Sequence, residues 1–282
     1  MIRFVVHYMA SRVSPARMKR LHRVAAIGFL VLISNSCTIS GIHFDKGTTA
    51  ARSANDSAAV ASSAPILLFN GTGASPNDVT AVETILNRSH LRYATANTAQ
   101  LSTMSESQLR GYRLLIIPGG NFIDIGRSLT SSTATNIHNA VQNGLNYLGI
   151  CAGAFLAGNS SYYNGLNLTL GVKFGFYSAE EKGTRKAAVA VAVAGASTLE
   201  HYWEDGSQFN GWGAVVGRYP DGTPAIVEGT SGRGWVILSG VHPEAPAGWR
   251  RGMTFTTPAE IDNAYAGTLV KAALNGTSLA HF

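Results

Sequence analysis

The stretch Tyr147-Leu148-Gly149-Ile150-Cys151-Ala152-Gly153-Ala154-Phe155 decides the fold. An apolar, strand-like run ends in Gly-x-Cys-x-Gly, and the small residues after it can open a helix. Glycines two residues either side of the cysteine let the backbone turn sharply, so the spacing predicts a nucleophile elbow with cysteine in place of serine. The thiol then stands at the strand's end and meets the N-terminus of the next helix, where amide donors and the helix dipole favour thiolate. A buried structural cysteine beside packing glycines reads the same over these five residues, so the flanking chain has to separate the two.

Upstream, 65–70 (Pro-Ile-Leu-Leu-Phe-Asn) is a continuous apolar run of the kind buried on both faces of a sheet. Ser75-Pro76-Asn77-Asp78 starts a helix: Ser75 caps it, Pro76 fits the first helical position and Asp78 completes a capping box. Val79, Val82, Ile85 and Leu86 continue at helical spacing to about His90. Residues 91–96 predict a second strand, 105–110 a short helix, and 113–117 a third strand ending at Pro118-Gly119-Gly120. A polar helix through Ile137 and Val141 leads back to the elbow. This alternation predicts an α/β fold with a mostly parallel sheet covered by helices on both faces. Ligands in such sheets bind at the carboxyl ends of the strands, where Asn70, Gly119 and Cys151 are all predicted. The turn Gly71-Thr72-Gly73 can face that site, but it is too short for a phosphate loop and lacks its Lys.

Beyond about Leu166 the pattern changes. Residues 168–177, 187–194, 214–219, 225–228 and 234–239 read as strands joined by Gly, Asp and Pro turns, so antiparallel hairpins are expected in the C-terminal half. A last helix opens at Pro258 and stops at Asn275-Gly276.

The formal charge of +6 on 282 residues first suggests an acidic partner. Arg3, Arg12, Arg17, Lys19, Arg20 and Arg23 precede every acid, however, and removing those six leaves 16 basic and 16 acidic residues. A neutral body gives no electrostatic case for nucleic acid. Residues 1–37 read as an N-terminal extension with an export signal, starting at Met1 or Met18. A basic segment from Met18 to Arg23 precedes an apolar run to Ile33 that is shorter than the ~20 residues a bilayer span needs. Cys37 follows a small-x-small site, where a bacterial lipoprotein carries its lipidated cysteine, although Ser34 stands where Leu is usual. Lipid anchoring, soluble export and an uncleaved anchor all remain open, with the periplasm or envelope as the expected location. Residues 38–63, rich in Ser, Ala and Thr, predict a flexible tether, and 64–282 the folded domain. If Cys37 is lipidated or lost, Cys151 has no partner within the chain, and a lone thiol in an oxidising compartment is a liability unless buried or used.

Gly240-Val241-His242-Pro243-Glu244 follows the predicted strand 234–239. The proline fixes the backbone between His242 and Glu244, so the carboxylate can orient an imidazole that takes the proton from Cys151. The glycines at 119 and 120 let backbone N–H groups approach a substrate carbonyl. Each signal alone fits an ordinary turn; three in order after predicted strands favour acyl-transfer chemistry. These motifs resemble the class I glutamine amidotransferase-like superfamily. Within it, Gly149–Phe155 and Asn70-Gly71-Thr72-Gly73-Ala74-Ser75 are similar to the N-terminal domain of eukaryotic biotin–protein ligases, a domain that also occurs in stand-alone bacterial proteins. The resemblance covers about 64–275 and implies a flavodoxin-like sheet. It also implies Cys151 as nucleophile, His242 as base, Glu244 as orienting acid, and the amides of Gly120 and Ala152, beside Gly119, as oxyanion donors.

One departure bears on substrate. Glutamine-hydrolysing members usually carry Gln four residues after the nucleophile, where this chain has Phe155, and no synthase domain is present to receive ammonia. An apolar ring beside the thiol suits a less polar amide, ester or thioester in a small or peptide-like substrate. Asn70, Gly71, Tyr202 and Trp203 are further candidates for contact with it, and Phe209 and Trp212 can join Tyr202 and Trp203 in a pocket wall or pack in the core. His201 to Gly206 collects His, Glu and Asp without a standard metal spacing, so a substrate-rim or packing role is expected there and neither metal nor cofactor. A non-catalytic binding module on the same fold, and a protease- or chaperone-like member with an oxidisable cysteine, are the competing readings; oligomeric state is open.

Overall fold

The computed structural model describes residues 64–179 and 182–282. The export signal with Cys37, the tether and the Glu180-Glu181 pair lie outside the described residues. In chain order the parallel half holds β1 (Ile66–Phe69), α1 (Pro76–Arg88), β2 (Tyr93–Ala96), α2 (Thr98–Thr103), α3 (Glu106–Leu109) and β3 (Leu114–Ile117). It continues with α4 (Phe122–Ser128), α5 (Ser131–Gln142), β4 (Asn146–Ile150) and α6 (Ala152–Ala157). The second half holds β5 (Gly175–Phe176), β6 (Lys186–Val193), β7 (Leu199–Glu204), β8 (Ser207–Gln208), β9 (Ala214–Arg218), β10 (Pro224–Ser231), β11 (Gly234–Ser239) and α7 (Ala259–Asn275).

One sheet of nine strands runs in the order β2-β1-β3-β4-β11-β10-β9-β6-β7. From β2 to β11 all neighbours are parallel; from β11 to β7 all are antiparallel. The fold is thus the expected α/β class, with its antiparallel strands in the C-terminal half. Side chains alternate between two fully covered faces. Ile66, Leu68, Leu114, Ile116, Leu148 and Ile150 pack under α1 and α7, on Val79, Val82, Ile85, Leu269 and Val270. Leu67, Phe69, Leu115, Ile117 and Tyr147 pack on the other face, on Leu101, Ile125, Ile137 and Val141. Because both faces of β1, β3 and most of β4 are buried, these strands read as nearly unbroken apolar runs, whereas the edge strand β2 does not.

Several local expectations change. The strand expected at 168–177 shrinks to Gly175–Phe176, paired only with β8. Asn167 and Leu170 have positive φ, and the Val172 N–H closes on the Thr169 carbonyl, so the chain turns where the sequence looked extended. The strand β7 was read as a polar cluster. It pairs along the whole of β6, and its mixed composition reflects an edge strand with one face in a cleft. Two short helices, α2 and α4, were not foreseen, although Asn97 and Asn121 cap them with their side chains.

Candidate active site

Cys151 sits between β4 and α6 with φ 50°, ψ −103°, a backbone conformation rare for a residue with a side chain. Packing compels the turn. A Cβ at Gly149 would meet the Gly153 carbonyl oxygen, and one at Gly153 would run into the Ile117 carbonyl oxygen of β3. The Cys151 N–H donates to Ser239 O of β11 at 2.8 Å, and the Gly153 N–H to Pro118 O at 3.2 Å, so three strand ends are tied together beneath the sulfur. The thiol is buried, and its Sγ lies 3.6 Å from the Glu204 carbonyl oxygen.

His242 leaves β11 and donates its backbone N–H to Tyr202 O of β7 at 2.8 Å, which fixes the ring's position. Its Nδ1 lies 2.9 Å from Glu244 Oε1 and 3.2 Å from Asp78 Oδ1. A carboxylate only accepts, so Nδ1 carries a proton and donates to Glu244. Glu244 is walled by Val82, Ile85, Leu148 and Leu269, away from water. The Cys151 thiol and the His242 ring line the same cleft. Burial works to lower the proton affinity of the imidazole. The charges of Glu244 and Cys151, with the Asp78 carboxylate close by, overcome it and hold His242 well above the ordinary histidine range. For Asp78, burial acts to raise the carboxyl pKa, but the close approach and charge of His242 leave it below the ordinary value.

The cleft above these groups has a volume of about 580 Å³, within the range of small-molecule sites. One wall is aromatic: Phe155 and Phe122 stack at 4.4 Å between centroids, and the half-exposed Phe176 tilts against Phe155 at 5.0 Å. The other wall carries Tyr202, Trp249 and the charge pairs Arg185–Asp205 (2.6 Å) and Lys186–Glu204 (3.4 Å). The Tyr202 hydroxyl donates to Glu204 Oε2. Burial and the Glu204 carboxylate raise the proton affinity of that phenol, so it remains protonated.

The candidates divide around this cleft. Cys151, His242, Phe155, Tyr202 and Gly120 line it, while Glu244 stands behind His242. Gly120 has φ 142° and bridges to Ala74 through bonds made by its neighbours, so its own N–H takes no part in that bridge. Gly119 stands beside the His242 ring. An added Cβ there would run into Asp78 Oδ1 and His242 Cε1, so the missing side chain makes room for that pair. Ala152 is buried at the first position of α6. Asn70 and Gly71 do not line the cleft. The Asn70 N–H donates to Ala96 O, and Gly71 packs against Thr98 and Phe69, so the loop first leans toward α2. Trp203 does not line it either. Successive strand residues face opposite ways, so Tyr202 faces the cleft while Trp203 is fully buried against Tyr177. Phe209 packs in the core on Phe174, and Trp212 packs against the same cluster. His201 is buried 3.4 Å from Asp262, outside the cleft. His281, for which the sequence offers no partner, lies 2.6 Å from the buried Glu228.

Asp78, Phe122, Phe176, Lys186 and Trp249 are cleft residues that the sequence reading did not single out for the site. For Asp78 the signal was present but was used up in explaining a helix start. The capping box is only half made: Ser75 Oγ accepts from the Asp78 N–H, but the Ser75 N–H donates to Gly119 O, which leaves the carboxylate free to face His242.

No curated protein matches the chain significantly. Among solved structures, PurLQS from Thermotoga maritima aligns with a TM-score of 0.51 and 17% identity over 73% of this chain and 97% of that one. A glutamine amidotransferase gives 0.48 and 20% identity over 64% of this chain and 90% of that one. The β-galactosidase from Rahnella sp. R3 gives 0.48 and 14% identity over 75% of this chain and 31% of that one. At such identities the likeness is one of fold alone. Residues 64–263 match the family described as "Biotin-protein ligase, N terminal". With that match spanning most of the chain, this chain belongs to the biotin–protein ligase N-terminal family.

Proposed function

We propose that the chain is a cysteine-dependent hydrolase of an amide, ester or thioester, working through a thioester on Cys151. The supporting observation is the convergence of the elbow thiol, the His242 ring and the Glu244 carboxylate at the parallel strand ends. In the proposed cycle His242 takes the thiol proton and the sulfur attacks the substrate carbonyl carbon, pushing the C=O electron pair onto oxygen. The Gly120 and Ala152 N–H groups hold that oxyanion. Its collapse breaks the bond to the leaving atom, which departs with the proton from His242. Water then gives a proton to His242 and attacks the thioester; a second collapse frees the carboxylic acid and the thiol. Glu244 holds the Nδ1 proton throughout, so Nε2 is the nitrogen that exchanges protons.

The Phe155–Phe122 stack favours an apolar acyl group over glutamine. The proposed setting is outside the cytoplasm, on the basis of the basic and apolar run before Cys37. A thiol-directed acyl probe should label the wild-type protein at Cys151 and leave Cys151→Ala unlabelled; equal labelling of both removes the proposal. A second reading, a binding module, draws support from the sulfur's contact with the Glu204 carbonyl on β7. On that reading a broad panel of amides and esters shows no turnover, and Cys151→Ala keeps its affinity for whatever the cleft holds.

A further inference from the structure

We propose that Asp78 is a second positioning carboxylate for His242, acting on the same ring nitrogen as Glu244 but from a different element, so that the ring keeps its proton and orientation when either acid is lost. The inference rests on the proposed Cys151–His242–Glu244 relay and adds a residue to it.

An acid at the third position of a helix is ordinarily accounted for by capping, and here it is not. The Ser75 N–H is already bonded to Gly119 O at 3.0 Å, so the Asp78 carboxylate does not complete a capping box. The residue is only 7% exposed, and its Oδ1 has no hydrogen-bond partner while lying 3.2 Å from His242 Nδ1. A buried carboxylate in that state is expensive unless a cation faces it. One Nδ1–H cannot serve both acids at once, and Glu244 at 2.9 Å holds it. Asp78 therefore acts through its charge while Glu244 is in place, and is near enough to accept from Nδ1 when Glu244 is lost. The approach is built into the chain, because any side chain at position 119 would collide with both Asp78 and His242.

The other groups facing the ring are Cys151 from the elbow, and Tyr202 from β7 at 5.8 Å between centroids with Glu204 bonded to its hydroxyl. Arg185, Lys186 and Asp205 line the same cleft, with the two cations in ion pairs to Asp205 and Glu204. The anions closest to the imidazole thus favour its charged form, in line with the raised proton affinity of His242. One atom each of Asp78, His242 and Glu244 also lie within 4.8 Å of one another, so a bound cation is the rival explanation for this grouping.

The test is a pH titration of the His242 ring by NMR on histidine-labelled protein carrying Cys151→Ser. Asp78→Asn should lower the His242 midpoint by about one unit, a tenfold loss of proton affinity. Glu244→Gln should do the same, and the double variant should fall further. Ser75→Ala removes the helix cap but keeps the carboxylate, and should move the midpoint much less than Asp78→Asn does, which separates positioning from capping. An unmoved midpoint in Asp78→Asn overturns the proposal, as does a wild-type midpoint that shifts on adding EDTA. Should Asp78→Asn not fold, Glu244→Gln decides alone: its midpoint stays above ~6.5 if Asp78 acts on the ring, and drops to or below ~6.5 if it does not. Turnover, where a substrate is found, adds a second readout: Glu244→Gln should lose roughly tenfold in kcat, against the roughly 10⁴-fold expected of a sole orienting acid. The NMR outcome needs no turnover, so a failed hydrolase reading and a failed role for Asp78 are told apart.

Discussion

The parallel and antiparallel halves of the sheet meet at β11 and supply the cleft by different means. In the parallel half, three neighbouring strands β3, β4 and β11 deliver Gly120, Cys151 and His242 from their carboxyl ends. Backbone bonds between those ends, from Cys151 to Ser239 and from Gly153 to Pro118, set the positions. In the antiparallel half, β6 and β7 contribute Lys186, Tyr202 and Glu204 as side chains on one face of an edge hairpin. The groups proposed to react thus stand on a frame whose spacing is fixed by main chain. The groups that would sort substrates stand on a strand whose side chains can change without moving the sulfur.

The sharpest way to break this comparison is to add one carbon to each half. Gly153→Ala puts a Cβ into the Ile117 carbonyl oxygen, across the joint between α6 and β3. It should cost about 3 kcal/mol, or roughly 6–12 °C in melting temperature. Gly175→Ala in β5 has only Gln208 Nε2 near the new carbon, at 3.9 Å, and should change stability by less than ~0.5 kcal/mol. Equal melting temperatures for the two variants would mean that the elbow is not the rigid part.

The same division explains what could be read from the chain. The order of the parallel half was legible because its strands are buried on both faces and their ends carry glycines that close packing demands, at 149, 153 and 120. Cys151 and His242 were legible for the same reason. β7 was not, since Leu199-Glu200-His201-Tyr202-Trp203-Glu204 mixes an edge, a core face and a cleft face in six residues. Trp203 was misplaced because the strand, and with it the alternation, had not been recognised. Asp78 was hidden by a capping rule that explained it too well, and Phe122 and Phe176 by the distance in sequence between rings that meet only in three dimensions.

The aromatic wall offers the next test. Phe155→Gln replaces a ring stacked at 4.4 Å on Phe122 with the polar residue that glutamine-hydrolysing relatives of the superfamily resemblance carry. For substrates with an apolar acyl group, kcat/KM should fall about tenfold, near 1.4 kcal/mol, while more polar amides gain ground. Alkylation of Cys151 by a small neutral reagent should proceed at the wild-type rate. A parallel loss in alkylation would show that the ring sustains the reacting groups as well as selecting among substrates.

Protonation should leave a smaller mark on stability. Folding raises the proton affinity of His242, so its stabilising share is whole below ~6.5 and drains as pH climbs through the higher folded value. Folding lowers that of Asp78, so its share is whole above ~3.9 and drains as pH falls through the lower folded value. Melting temperature measured against pH should therefore hold level between roughly pH 4 and 6.5 and decline on either side. Asp78→Asn should flatten both declines; a curve identical to wild type would leave the carboxylate with no energetic tie to the ring.

The smallest effect is expected on the antiparallel rim. Lys186 and Glu204 face each other at 3.4 Å in paired register, but their side chains are 56% and 46% exposed. Water screens such a pair, so Lys186→Gln should move stability by no more than ~1 kcal/mol. Its charge nevertheless overlooks the cleft. If substrates bring a carboxylate or phosphate to that rim, the same substitution should raise KM severalfold and spare kcat, because the lost attraction acts equally on ground and transition states. A fall in kcat at constant KM would instead mean that β7 reaches the reacting atoms through Glu204 and Tyr202, and that the two halves are less separate than their backbones suggest.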